Sequence, residues 1–89
     1  MSRKTHKDFN VGDLFLSDDN WSRTICILVK KSQRAPGCPY TFEMYYYHMY
    51  KVEKQEFVAQ EYKQIVFWDT ARINRYIDYR GYKHYAAIK

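Results

Sequence analysis

Tyr40-Thr41-Phe42-Glu43-Met44-Tyr45-Tyr46-Tyr47-His48-Met49-Tyr50 is the stretch from which the rest of the chain is read. Nearly every position is aromatic or sulfur-bearing, a density that a pleated strand accommodates better than a helix. Side chains of a strand alternate between two faces. One face then carries Phe42, Met44, Tyr46, His48 and Tyr50, and the other Thr41, Glu43, Tyr45, Tyr47 and Met49. Three consecutive tyrosines cannot all enter one core. If the first face packs, Tyr45 and Tyr47 point outward.

Working upstream, residues 32–39 contain Pro36, Gly37 and Pro39 and read as a loop. A second strand is expected from about Ser22 to Lys31. In it the β-branched Ile25, Ile27 and Val29 alternate with Thr24, Cys26, Leu28 and Lys30, so both of its faces are expected to be covered. The turn formers Ser17, Asp18, Asp19 and Asn20 separate it from a first strand, Val11-Gly12-Asp13-Leu14-Phe15-Leu16. Gly12 there suits a bulge or a close backbone approach. Residues 1–10 are polar and basic and read as an arm that frays, with one globular domain over residues 11–89.

Downstream, residues 52–68 mix helix formers with strand-like runs. The reading favoured is a turn near residues 53–55, followed by one long bent strand or two short ones. Residues 69–81 are clearer. Asp69 or Thr70 can cap a helix, and Gly81 sits where a left-handed residue ends one. Ile73, Tyr76 and Ile77 share one helical face, and Arg72, Arg75 and Tyr79 fall opposite. Residues 82–88 read as a last short strand. The fold class is therefore mostly β: a β-rich α+β domain of about five antiparallel strands, with one short helix near residues 70–80.

Composition bounds the function. The chain has 89 residues, 46% of them apolar and 19% aromatic, ten of these being tyrosine. That length excludes large enzyme architectures, since a TIM barrel needs roughly 250 residues. The apolar content excludes simple disorder. No run approaches the roughly 20 apolar residues of a membrane span. No apolar segment follows the basic N-terminus to make a secretory signal. Two cysteines, Cys26 and Cys38, are fewer than small secreted scaffolds carry, which favours a reducing cytoplasm. The net charge of +5 is uneven: +2 over residues 1–10, −1 over residues 11–69 and +4 over residues 70–89. Such ends attract phosphate backbones or an acidic protein surface.

The order of elements, opened by Val11-Gly12-Asp13-Leu14, resembles the small SH3-like barrels. With Trp68 ending a strand, Ile73 to Ile77 on a short helix and Lys83-His84-Tyr85 near the end, it also resembles short uncharacterised proteins of tailed phages. The resemblance implies a closed barrel and a binding role, with a host or defence protein as target. Arg23-Thr24 stands where the translation-factor type of barrel has glycine, so the polymerase- or ribosome-binding role of that subfamily is not implied.

Catalytic groups are sparse. No serine sits in a Gly-x-Ser-x-Gly elbow, and Cys26 among aliphatics reads as an inert core thiol. His6, His48, His84, Cys26 and Cys38 lack metal-ligand spacing. Glu61-Tyr62-Lys63, with Glu43 or Asp13, has the form of a metal-dependent nuclease site, but alternating charge on a solvated strand explains it more simply. No enzyme, cofactor or metal is expected. The candidate partner-binding residues are Tyr45, Tyr47, Arg72, Arg75, Tyr79, Arg80 and Lys83. Tyrosine faces and arginines anchor protein interfaces, and together they also hold single-stranded nucleic acid. A protein partner is the first expectation, nucleic acid the second, and self-association as a virion structural component the third.

Overall fold

The computed structural model describes residues 4–18, 22–51, 57–59 and 64–87. A short 3-10 turn, His6–Asp8, leads into strands β1 (Leu14–Asp18), β2 (Ser22–Gln33), β3 (Tyr40–Lys51), β4 (Phe57–Ala59) and β5 (Gln64–Asp69). Helix α1 (Thr70–Tyr79) and strand β6 (Lys83–Tyr85) complete the chain. All pairings are antiparallel, in the order β4-β3-β2-β1-β6, with β5 also on β3.

The six strands make five lanes, because β4 and β5 share the edge of β3 that β2 leaves open. Tyr46 faces Gln64 and Met49 faces Ala59, so three steps along β3 span five along the facing lane. Two short strands thus stand where one long bent strand or two short ones were expected. The turn expected near residues 53–55 lies outside the described residues. The sheet is not closed into the barrel that the SH3-like resemblance implies. Among the described residues β6 pairs only with β1, and β5 only with β3.

One face of the sheet, the inner face, is covered. Phe15, Cys26, Leu28, Phe42, Met44 and Trp68 project from it and are buried together with Phe9, Ile73 and Tyr82. Each large apolar side chain so buried contributes roughly 1.5–3 kcal/mol. The helix covers this face through Ile73, with Tyr76 and Ile77 packed against the core. Asp69 caps it by accepting the Arg72 N–H at 2.8 Å. At its other end Gly81 takes φ +69°, and the Tyr82 N–H returns to the Tyr76 carbonyl at 3.3 Å.

The N-terminal segment covers the rest. Phe9 is fully buried, edge-on to Phe15 and Phe42 at centroid distances of 5.7 Å. The Lys4 N–H donates to Asn74 Oδ1 at 3.1 Å, and Asn74 Nδ2 donates back to the Lys4 carbonyl at 2.7 Å. Lys31 Nζ donates to the His6 carbonyl at 2.6 Å and lies 5.2 Å and 5.9 Å from the ring centroids of Tyr40 and Phe42. The basic arm expected to fray is therefore, over residues 4–10, packed onto the sheet. Phe9 supplies the apolar area that composition alone did not weigh.

A bulge at Val29 resets the alternation of β2. Leu28 faces Met44 but Lys30 faces Glu43, leaving Val29 as an extra residue. Gly12 stands opposite this irregularity at φ +98° and donates its N–H to the Leu28 carbonyl at 2.8 Å. A Cβ at Gly12 would meet the Ala87 side chain at 3.1 Å, which is the close approach its position implied.

Candidate functional site

The other face of the same sheet, the outer face, is also apolar. The strand registers align Tyr85, Leu14, Ile27, Tyr45 and Ile65 in one row across five strands. A second row runs Lys83, Leu16, Ile25 and Tyr47. Phe67 extends the surface beyond the first row, opposite Glu43. Ile65 is 50% exposed, Phe67 60%, Tyr85 48% and Leu14 39%. Ile25, Ile27, Tyr45 and Tyr47 are half-buried. The full cover expected for both faces of β2 is therefore met only on the inner one.

This arrangement divides the seven sequence-predicted residues. Tyr45, Tyr47 and Lys83 come together on the outer face, Tyr47 and Lys83 within one row. Arg72, Arg75, Tyr79 and Arg80 are exposed, but they belong to α1 and its C-cap, which pack on the inner face. The expectation of tyrosines with a basic helix beside them is thus corrected: the thickness of the sheet stands between them. Alternation along β3 and α1 was readable, but which side of the sheet receives the helix depends on the turn at Asp69 and Thr70.

The helical residues are themselves split. Arg72 and Arg80 flank a cleft of about 450 Å³ between α1 and β5, with Tyr76, Trp68 and Tyr82 lining it. The Arg80 guanidinium lies over the Tyr76 ring at 5.3 Å. Arg75 and Tyr79 lie on the far side of the helix, with Ala71, Asn74 and Asp78.

Sequence reading missed the apolar members of the outer face: Leu14, Leu16, Ile25, Ile27, Ile65, Phe67 and Tyr85. Leu14 and Leu16, Ile25 and Ile27, and Ile65 and Phe67 share parity within their own strands, and that was the available signal. Only the register joins the pairs into rows.

It also missed a buried polar cluster. His84 Nε2 and Asp13 Oδ2 lie 2.7 Å apart. The Asn10 N–H donates to Asp13 Oδ2 at 2.9 Å and the Ala87 N–H to Oδ1 at 2.8 Å. Burial opposes ionisation of Asp13, but the hydrogen bonds from Asn10, His84 and Ala87 outweigh it and hold the carboxyl below its ordinary value. The His84 ring stacks on Phe15 at 4.8 Å, and its Nδ1 lies 2.8 Å from Lys4 Nζ. A protonated Lys4 has only donors, so Nδ1 accepts and Nε2–H donates to Asp13. The cluster ties the N-terminal segment, β1 and the C-terminal strand together. Both imidazole nitrogens and both carboxylate oxygens are engaged in it.

Among the described residues the nuclease reading finds no assembled site. Asp13 is consumed in this cluster, Glu43 stands on the outer face, and Glu61-Tyr62-Lys63 lies outside the described residues. Among the described residues no three His, Cys, Asp or Glu side chains group as metal ligands. Cys26 is buried, and this pushes its thiol up to about 12, although a side-chain hydrogen bond with Tyr82 pulls the other way. No described helix is long and apolar enough to cross a membrane. No family model, no curated protein and no solved structure matches this chain.

Proposed function

We propose that this chain is a non-enzymatic protein-binding module whose outer sheet face docks on a protein partner. The observation that supports the reading is the row Tyr85, Leu14, Ile27, Tyr45 and Ile65, apolar or aromatic at every position and open to solvent at both ends. An apolar surface of this continuity on a small domain marks an interaction site. Tyrosine adds flat contact area with a polar tip, which suits an interface. The resemblance to short phage proteins adds a host or defence factor as the partner's origin.

Charge favours protein over nucleic acid. Holding a single strand requires stacking rings and cations on one surface. Here Tyr45 and Tyr47 are neighbours on the outer face, but Arg72, Arg75 and Arg80 belong to the opposite side of the sheet. Lys83 and Lys30 on the outer face are balanced in part by Glu43, and Arg23 is paired with Asp18 at 2.7 Å.

A photo-crosslinker placed at Tyr45 or Ile65, with one at Arg75 as control, tests the reading in the cell that makes the protein. A protein adduct at the first two positions is expected, unchanged by nuclease and lost with Ile27→Ser. Adducts that vanish with nuclease favour nucleic acid, and adducts between two copies favour self-association; either result overturns the proposal.

A further inference from the structure

Strand β5 carries a second surface, which meets the outer face at Ile65 and Phe67. Its inner edge pairs with β3 over Thr41–Tyr46, and its other edge pairs with no described strand. A row of unpaired backbone N–H and C=O groups is a template for an added strand. The cleft between α1 and β5 runs along this edge, and residues 64–68 form one wall of it. Arg72 and Arg80 stand over it from α1, and neither guanidinium forms an ion pair with a described residue. No carboxylate occurs among the described residues that line it. The Tyr76 ring holds the Arg80 guanidinium at 5.3 Å, which reduces the entropy lost when that group engages an anion.

We infer that the β5 edge receives an extended acidic segment of a partner protein as an added strand, with carboxylates on Arg72 and Arg80. The open edge supplies main-chain hydrogen bonds, and the side chains beside it supply selectivity, as in other cases of strand addition. The two arginines are eight positions apart, about 12 Å along a helix. Four residues of extended chain cover about 13 Å. Two glutamates four residues apart therefore match the pair. Arg–carboxylate contacts are charge-assisted and bidentate, so glutamate is distinguished from its neutral amide.

The test uses the full chain and a fluorescent peptide of alternating Thr and Val, with Glu at two positions four apart. Saturable binding is expected, with amide shifts in residues 64–69 by NMR. Replacing both Glu by Gln, or making Arg72→Gln with Arg80→Gln, is expected to weaken binding at least about tenfold, the effect of losing charge-assisted contacts. Both arginines are exposed, so the double variant should retain its circular dichroism. N-methylation of alternate peptide amides should abolish binding in one register, since only a strand pairs its backbone that way. Equal affinity for the Gln peptide, shifts confined to the outer face, or indifference to N-methylation in both registers would overturn the inference. An oligothymidylate that competes at equal affinity, or a dimer that the arginine variants dissolve, would also overturn it, in favour of nucleic acid or of a second copy. Ile65 borders both surfaces, but Tyr45 and Ile27 take no part here, so failure of this inference leaves the outer-face proposal standing, and the Tyr45 crosslink fails or succeeds separately.

Discussion

The two faces of one sheet are built from nearly the same material. The inner face presents Phe15, Cys26, Leu28, Phe42 and Met44, and the outer presents Leu14, Ile25, Ile27, Tyr45 and Ile65. Their fates differ because the N-terminal segment and the helix both land on the inner side. Phe9 and Ile73 complete a core there, while Leu14 and Ile65 on the outer face stay 39% and 50% exposed. Hydrophobic character therefore does not identify the core of this protein; cover does. An apolar residue without cover costs little to remove, whereas one beneath Phe9 leaves a cavity.

The largest expected effect follows from that contrast. Phe42→Ala should destabilise the fold by about 3–5 kcal/mol, the usual cost of emptying a buried phenylalanine site. Denaturant unfolding followed by tryptophan fluorescence measures it. A cost as small as that of an outer-face substitution would erase the distinction between the faces.

Asp13→Asn should come next, at about 3 kcal/mol near neutral pH, since one partner of a buried, hydrogen-bonded pair is changed. The acid dependence sharpens this. Asp13 has a folded-state value below that of the unfolded chain, so the unfolded chain binds more protons as the pH falls. The stability it supplies is complete above the unfolded value of about 3.9 and is lost as pH drops through the lower folded value. In unfolding curves the wild type and Asp13→Asn should therefore differ in stability at neutral pH and converge at acid pH. Curves that stay parallel would show that the cluster does not hold the inner face.

Tyr45→Ala should cost about 1 kcal/mol or less, the scale of a cross-strand pair, while Ile65→Ser should cost about as little. Thermal unfolding compared with Phe42→Ala checks the ranking. The smallest effect is expected at Cys38. Cys38→Ser should leave the melting temperature unchanged. A thiol reagent at about pH 8 should label Cys38 at once, and the buried Cys26 only on unfolding.

Much of the fold was legible. The Asp69 cap, the Ile73 to Ile77 spacing and Gly81 are local signals, and the helix runs where they place it. The alternation in residues 40–50 placed Tyr45 and Tyr47 away from Phe42 and Met44, because a pleat has period two. The site was legible only in part. Leu14, Ile27 and Ile65 are far apart in sequence, and the pairings that align them with Tyr45 follow from register. Asp13 and His84 were each visible as residues, but their contact spans 71 positions and depends on β6 pairing with β1.

The sequence by itself determined the strand content, the capped helix, the outward tyrosines and the basic ends, since each rests on periodicity or on neighbouring residues. Only the tertiary structure decided that the sheet stays open, that residues 4–10 join the core, and that the basic helix lies behind the sheet from Tyr45 and Tyr47. Those outcomes depend on which of two similar apolar faces is covered first. That choice is made by contacts such as Lys4 with Asn74 and Phe9 with Phe42, between residues too distant along the chain for any local pattern to pair them.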